Sequence, residues 1–567
     1  MTIHASGMEG AARPPQWGHT TMHSRLSIVL IAGLLLASPL QPGARAATAP
    51  EAAGDKISGE VNFPISCGPA AQTMFKKAVW TLHSFWYPEA LKGFTDIAAA
   101  EPDCAMAYWG IAMSHWYPLW YPPNAAALKA GSEAVEKAIA AQPKTDREKD
   151  YIAAIAAFYH DSDKLDHRTR ALAYEKAMEQ VYLRYPDDRE AGVFYALALN
   201  ATALPTDKTF ANKQKAAEIL NKVWAEQPNH PGVVHYLIHS DDSAELAEAG
   251  LPAAICYAKI APEVPHALHM PSHIFTRLGL WQQSIDSNRA GHDAALKYAQ
   301  KSLGPGGFDQ ETVHTMDYME YAYLQTAQDA KAKQVVDELT SFRKAEGANL
   351  AMAYAVAAIP ARYALERRDW RSAAALTEPE TSVPLERFPW AQAMLAFARA
   401  IGKARTGDVA GAETEIAKLQ SLKDKLLEAK DTYWANQIEV QRLDASAVLA
   451  FAQHDGGKAV ELARTAADLD ATMDKHPATP AAVQPARELL ADLLLELKDP
   501  DAALKEYDQS LKSEPNRFRS ILGKARAAKE AGDAATSKGA YQKLLTLSSQ
   551  ADADRPELAE AKAFLSN

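Results

Sequence analysis

Chemistry in this chain is most densely suggested between His230 and Trp281, which reads HPGVVHYLIHSDD, then AGLPAAICYAKIAP, then PHALHMPSHIFTRLGLW. Six of its 17 histidines fall there: His230, His235, His239, His266, His269 and His273. His235 and His239 are four apart, which on a helix stacks them one turn above the other on one face. His269 and His273 repeat that spacing, with His266 three residues earlier. Two such pairs on adjacent helices are expected to converge on one point, where four imidazole nitrogens suit Zn or Cu. A lone pair of this kind more often hydrogen-bonds to a carbonyl or carboxylate. HYLIH also lacks the glutamate of the HExxH zinc peptidases, so metal binding is better supported than metal-assisted hydrolysis.

Further residues complete this candidate set. His314 and Asp317, three apart in VHTMDYMEYAYLQ, are a possible additional ligand and a carboxylate that orients a histidine. Asp242, just after the HYLIH block, is a second such carboxylate, although Asp241 and Asp242 also suit a helix end. An enzyme would need an acid or base beside an open metal position, with Asp242, Asp317 and Glu320 the available groups. No nucleophile elbow, phosphate loop or cofactor fingerprint accompanies them, so no catalytic residue is assigned.

The elements that must position these side chains read as helices. Apolar residues recur at i, i+3, i+4 and i+7 between short Pro, Gly or Asp turns, and no alternating strand stands out. Near the C-terminus, LKDPDAALKEYDQSLKSEPN precedes AGDAATSKGAYQKLLTL, placing Leu497-Lys498 and Ala531-Gly532 at matching turns 34 residues apart. That is the tetratricopeptide period. Ala502 and Ala503 let the helices approach, Tyr507 fills the groove and Pro515 ends the second helix. Looser copies run through 87–103, 171–188, 216–232, 277–288, 367–376, 405–419 and 454–469. The expected fold is all-α, an α-solenoid of tetratricopeptide-like antiparallel helix hairpins. Glycine-rich 302–309 and proline-rich 471–484 divide it into an N-terminal repeat region (47–305) with the histidines, divergent repeats (306–483) and a regular terminal pair (484–567). Because solenoid repeats contact mainly their neighbours, truncation before Leu489 is expected to leave the histidine region folded.

Targeting and redox chemistry agree with each other. Arg25, the apolar run LSIVLIAGLLLASPL and Ala44-Arg45-Ala46 read as a cleaved signal peptide over 1–46, with Met22 a plausible true start. The apolar run is short for a membrane span, and no longer one follows. The expected location is the periplasm or the extracellular space. In such a compartment Cys67 and Cys104 can close a loop worth about 4 kcal/mol, while Cys256 reads as a small core residue. With a net charge of -11 and a pI near 5.9, the chain offers no basic face for nucleic acid. The Trp- and Tyr-rich N-terminal stretch around His83 and His115, with Trp80, Trp86, Trp109, Trp116 and Trp120, suits a helical core or a lined cavity.

The blocks FKKAVWTLHSFWYPEALKGFTDIAAAEPDCAMAYWGIAMS, HPGVVHYLIHSDD and PHALHMPSHIFTRLGLW, together with the signal segment, resemble a group of exported bacterial tetratricopeptide-repeat proteins. The resemblance covers most of the chain to about residue 330. Members usually read HSYD where this chain has HSDD, so Asp241 replaces a tyrosine. The resemblance implies fold and export and brings no reaction with it. Three functions are therefore open. The first is a scaffold with a transition-metal site and a concave surface for a protein or peptide. The second is a metal-free adaptor, and the third a metal-dependent enzyme.

Overall fold

The computed structural model describes residues 59–119 and 122–566, so the signal peptide read over 1–46 and Trp120 lie outside the described residues. Within them the chain is all-helical, apart from two two-residue strands, Gly307–Phe308 and Lys344–Ala345, that pair in parallel. Nearly every helix packs on the next one in sequence, as expected where amphipathic helices share their apolar faces. No described helix is long and apolar enough to cross a membrane.

Two large apolar cores meet at the histidines. One runs from Val61 to Phe275, the other from Trp281 to Ala527, and a smaller one gathers Phe518, Leu522 and Tyr541 near the C-terminus. Helix Pro231–Asp241 belongs to the first core, whereas Val313 and Met316 on helix Gln310–Gln325 belong to the second. Every residue of Pro231–Asp241 is buried, so this helix is enclosed on all sides. It starts with Pro231 in its first turn, where a missing N–H costs nothing, and His230 Nδ1 accepts from the Val233 N–H at 3.3 Å. A Cβ at Gly232 would stand 2.5 Å from His83 Nδ1, so a glycine is needed for the end of helix Pro69–His83 to approach this closely.

Cys67 and Cys104 form a disulfide, with Cα atoms 5.4 Å apart, and it ties the start of the first helix to the turn before helix Ala105–Ser114. Such a bridge suits an oxidising compartment. Cys256 is a free thiol, only half-buried instead of a core residue. Trp109 and Trp116 are core side chains, whereas Trp86, Tyr87 and Tyr117 line a cavity, so the aromatic stretch supplies both.

The terminal helices pack mainly on their sequence neighbours, as expected, and they also reach back to the middle of the chain. Trp281 Nε1 donates to the Asn516 carbonyl at 2.8 Å, and the Phe518 N–H donates to Gln325 Oε1 at 2.9 Å. Arg555 Nε pairs with Asp329 Oδ2 at 2.9 Å. Buried Arg517 binds Glu488 at 2.7 Å, reaches the Tyr321 hydroxyl at 3.2 Å and also pairs with Glu366. Removing the terminal helices would take these partners from Tyr321 and Gln325, on the helix that carries His314, and from buried Asp329 just beyond it. The proline-rich segment after helix Gly456–Asp470 is equally far-reaching. It lies against the histidine region, with the Asp474 N–H on the Pro205 carbonyl at 3.0 Å and Lys475 Nζ 3.2 Å from Asp242.

Candidate metal centre

Six histidines gather at the junction of the two cores, but not in the predicted grouping. The expectation was one site from His235, His239, His269 and His273. Instead His235 and His239 converge with His266, and His269 and His273 converge with His314, each trio offering one nitrogen per ring within 4.8 Å of the others. The regrouping has a local cause. His266 and His269 share the short helix Pro265–His269, and Met270 keeps right-handed helical geometry into helix Pro271–Arg277. Successive histidines at 266, 269 and 273 therefore spread around a nearly continuous helical turn, and His266 faces the HYLIH helix. The third member of the second trio comes from helix Gln310–Gln325, whose His314 ring lies 4.4 Å from that of His269 between centroids. All six are at most 6% exposed.

The nitrogens not facing inward fix the tautomers. His235 Nδ1 donates to the His83 carbonyl at 2.6 Å, and His269 Nδ1 donates to Asn288 Oδ1 at 2.6 Å. The Asn288 amide is oriented by its own donation to the Ser284 carbonyl at 2.7 Å, which turns its oxygen toward His269. His273 Nδ1 donates to Asp242 Oδ2 at 3.0 Å. In each ring Nε2 is then a bare lone pair. Two of those lone pairs face each other, His269 Nε2 and His273 Nε2 at 3.0 Å, and the third, on His235 Nε2, is 3.1 Å from both His239 Nε2 and His266 Nε2. His266 Nδ1 meets Glu311 Oε2 at 3.2 Å. Two nitrogens bound to one metal at about 2.0–2.1 Å stand roughly 3.0–3.4 Å apart for ordinary coordination angles. Three of the six edges, His269–His273, His235–His239 and His235–His266, have that separation.

Electrostatics keeps these rings neutral. Burial first, then neighbouring histidines, holds His235, His239, His269 and His314 well below the ordinary imidazole value, and burial brings His266 to about 3. His273 is lowered by burial too, against the opposing pull of Asp242. Asp242 stays ionised: burial works to raise it, but Lys475, Arg277 and His273 hold it well below the usual carboxylate range. Arg277 Nε donates to Asp242 Oδ1 at 2.8 Å, so Asp242 is itself fixed. Burial pushes Glu311 up to about 8.

Of the two predicted supporting carboxylates, the structure places only Asp242 against a histidine. Asp317 turns away and binds buried Arg362 at 2.6 Å, sharing it with Glu320 at 3.0 Å. Helix Gln310–Gln325 has polar residues on more than one face, and a buried arginine outcompetes a neutral ring for the carboxylate. Sequence reasoning missed Asn288, Glu311, Arg277 and Lys475. Glu311 had a signal, since it precedes His314 by three residues and shares its helix face. Lys475 had none, being 233 residues from Asp242. Gly291 was also missed: a Cβ there would stand 3.1 Å from both His269 Cβ and Thr315 Cγ2, so its bare backbone lets three helices close on the second trio.

A third cluster, His83, Glu190 and His230, also has ligand-like spacing. Here every ring nitrogen has an ordinary partner. Both Nε2 atoms lie 2.9 Å from Glu190, and His83 Nδ1 lies 3.0 Å from the Tyr236 hydroxyl. Two cavities approach the six histidines, one of about 290 Å³ reaching His266 past Phe85, Trp86 and Tyr117, the other of about 60 Å³ reaching His239 beside Lys213. No protein-family model matches the chain, and no curated protein matches it.

Proposed function

We propose that this is an exported, periplasmic or secreted protein of tetratricopeptide-like helical hairpins, related to the exported repeat group it resembles, that holds transition-metal ions, Cu or Zn, in two three-histidine sites. One observation carries the reading. His269 Nε2 and His273 Nε2 stand 3.0 Å apart with both Nδ1 atoms committed to acceptors. Two lone pairs at that distance in a dry interior repel, and a cation between them turns the repulsion into two bonds. His314 completes this set, and His235, His239 and His266 gather in a second one of the same spacing. The supporting carboxylates and amide act on the outer nitrogens, as partners of metal-bound histidines do.

A metal-free adaptor draws support from a different feature. A cavity of about 430 Å³ lined by Trp390, Tyr433, Trp434 and the segment around Asp474–Gln484 suits an extended peptide. That reading gives no account of the facing nitrogens, and a peptide site there is compatible with metal in the trios. Tag-free protein from the exported fraction, reconstituted and dialysed, is expected to retain about two metal ions per chain by elemental analysis. Protein that stays metal-free, with a melting temperature indifferent to chelator, would leave only the adaptor.

A further inference from the structure

Resting on that reading, we infer that the two trios form one dinuclear copper centre, whose ligand is dioxygen. The trios are not separate sites that happen to lie in one protein. The ring centroids of His239 and His273 are 6.2 Å apart, as are those of His266 and His269, and each pair spans the two trios. Within the trios the centroids lie between 4.4 Å (His269 and His314) and 6.3 Å (His239 and His266), so the pairs across the boundary match the widest pair inside one. Two-metal centres in which one small ligand bridges both ions hold them about 3.5–4 Å apart, and rings in contact across the boundary are what such a centre requires.

The donor set selects the metal and the chemistry. All six donors are neutral imidazoles, and neither trio includes a carboxylate oxygen. Carboxylate-rich dinuclear sites suit iron and manganese, whereas imidazole suits copper, which also heads the affinity order for nitrogen sites. Charge points the same way. The surroundings already hold Arg277 and Lys475 beside Asp242, so a buried pair of monovalent ions is easier to accommodate than a pair of divalent ones. Two Cu(I) ions, three-coordinate in their trios, each keep a position open toward the other. Dioxygen entering between them takes one electron from each, leaving two Cu(II) and a bound peroxide dianion. No proton is needed, which suits a site where Asp242 and Glu311 meet the histidines only at Nδ1, away from the metal side. The 290 Å³ cavity at His266 gives the gas its route.

The test loads metal-free, full-length protein with Cu(I), supplied as its acetonitrile complex under argon, and then admits air. About two copper ions per chain are expected, with a new near-ultraviolet absorption and almost no electron paramagnetic resonance signal, because the two Cu(II) spins couple through the bridge. His314→Ala is expected to bind about one copper and, once oxidised, to show the signal of all of it. His239→Gln repeats the measurement from the other trio, should the first variant fail to fold. Two coppers whose signal accounts for all the metal would overturn the dinuclear centre and leave two independent sites standing. No retained copper would remove this inference, and no retained zinc in a parallel loading would remove the metal reading beneath it as well.

Discussion

Two histidine clusters lie within a few residues of each other and are built on opposite principles. Around Glu190, His83 and His230 each give an N–H to one carboxylate, and their other nitrogens meet a tyrosine hydroxyl and a backbone N–H. That network is complete with protein atoms alone. In the other cluster the outer nitrogens of His235, His269 and His273 are equally well satisfied, but the inner nitrogens of His269 and His273 face each other, and that of His235 faces two further rings. Spacing and burial do not separate the two cases, since both are buried and both have ligand-like distances. The direction of the protons does. A ring whose Nδ1 is tied to an acceptor must present a lone pair at Nε2, and a group of such rings asks for a cation. The clusters are also joined, because the carbonyl that fixes His235 belongs to His83.

The comparison breaks most severely at Glu190. Glu190→Ala leaves two buried N–H donors without an acceptor and is expected to cost about 3–5 kcal/mol in urea denaturation, equally with and without chelator. Glu190 itself sits at about 2, where burial works to raise it and His230 and His83 more than offset the effect. Metal removal should act only on the six-histidine cluster. At a hundredfold excess of metal over its dissociation constant, each site adds about 2.7 kcal/mol, lost to chelator and regained on adding Cu or Zn, as calorimetry would record. His239→Ala and His273→Ala fall in different trios, so each should lose about one metal ion and the double variant about two. A double variant that loses no more than either single one would restore a shared site.

Acid sharpens the contrast in the metal-free protein. The six rings have folded values below their unfolded value of about 6.5, so as pH falls the unfolded chain takes up protons first and stability is lost. The loss should begin near pH 6.5 and continue toward the value of about 3 at His266, with each histidine contributing up to about 1.4 kcal/mol per pH unit. Denaturation midpoints between pH 7 and 4 check this, and a flat profile would count against neutral buried rings. The smallest effect is expected from Asp317→Asn. It weakens the Arg362 pair but leaves bound metal unchanged by elemental analysis, because Asp317 touches no ring of either trio.

How far the sequence reached can be read from particular residues. The HYLIH spacing placed His235 and His239 on one face, because that feature depends on local backbone geometry. The same local reasoning put His266 among the extra ligands without its trio. Which face of a three-residue turn meets which helix depends on packing, and that lay beyond a periodicity.

By itself the sequence determined an all-helical chain, the pairing of Cys67 with Cys104, the six histidines as the centre of interest and Asp242 as a supporting carboxylate. These follow from periodicity, residue chemistry and short separations. Only the tertiary structure decided that the histidines divide three and three, that Asp317 serves Arg362, and that Lys475 and Asn516 reach back across more than 200 residues. Such contacts arise where buried polar groups must find partners wherever the packed helices bring them, and sequence distance places no limit on that search.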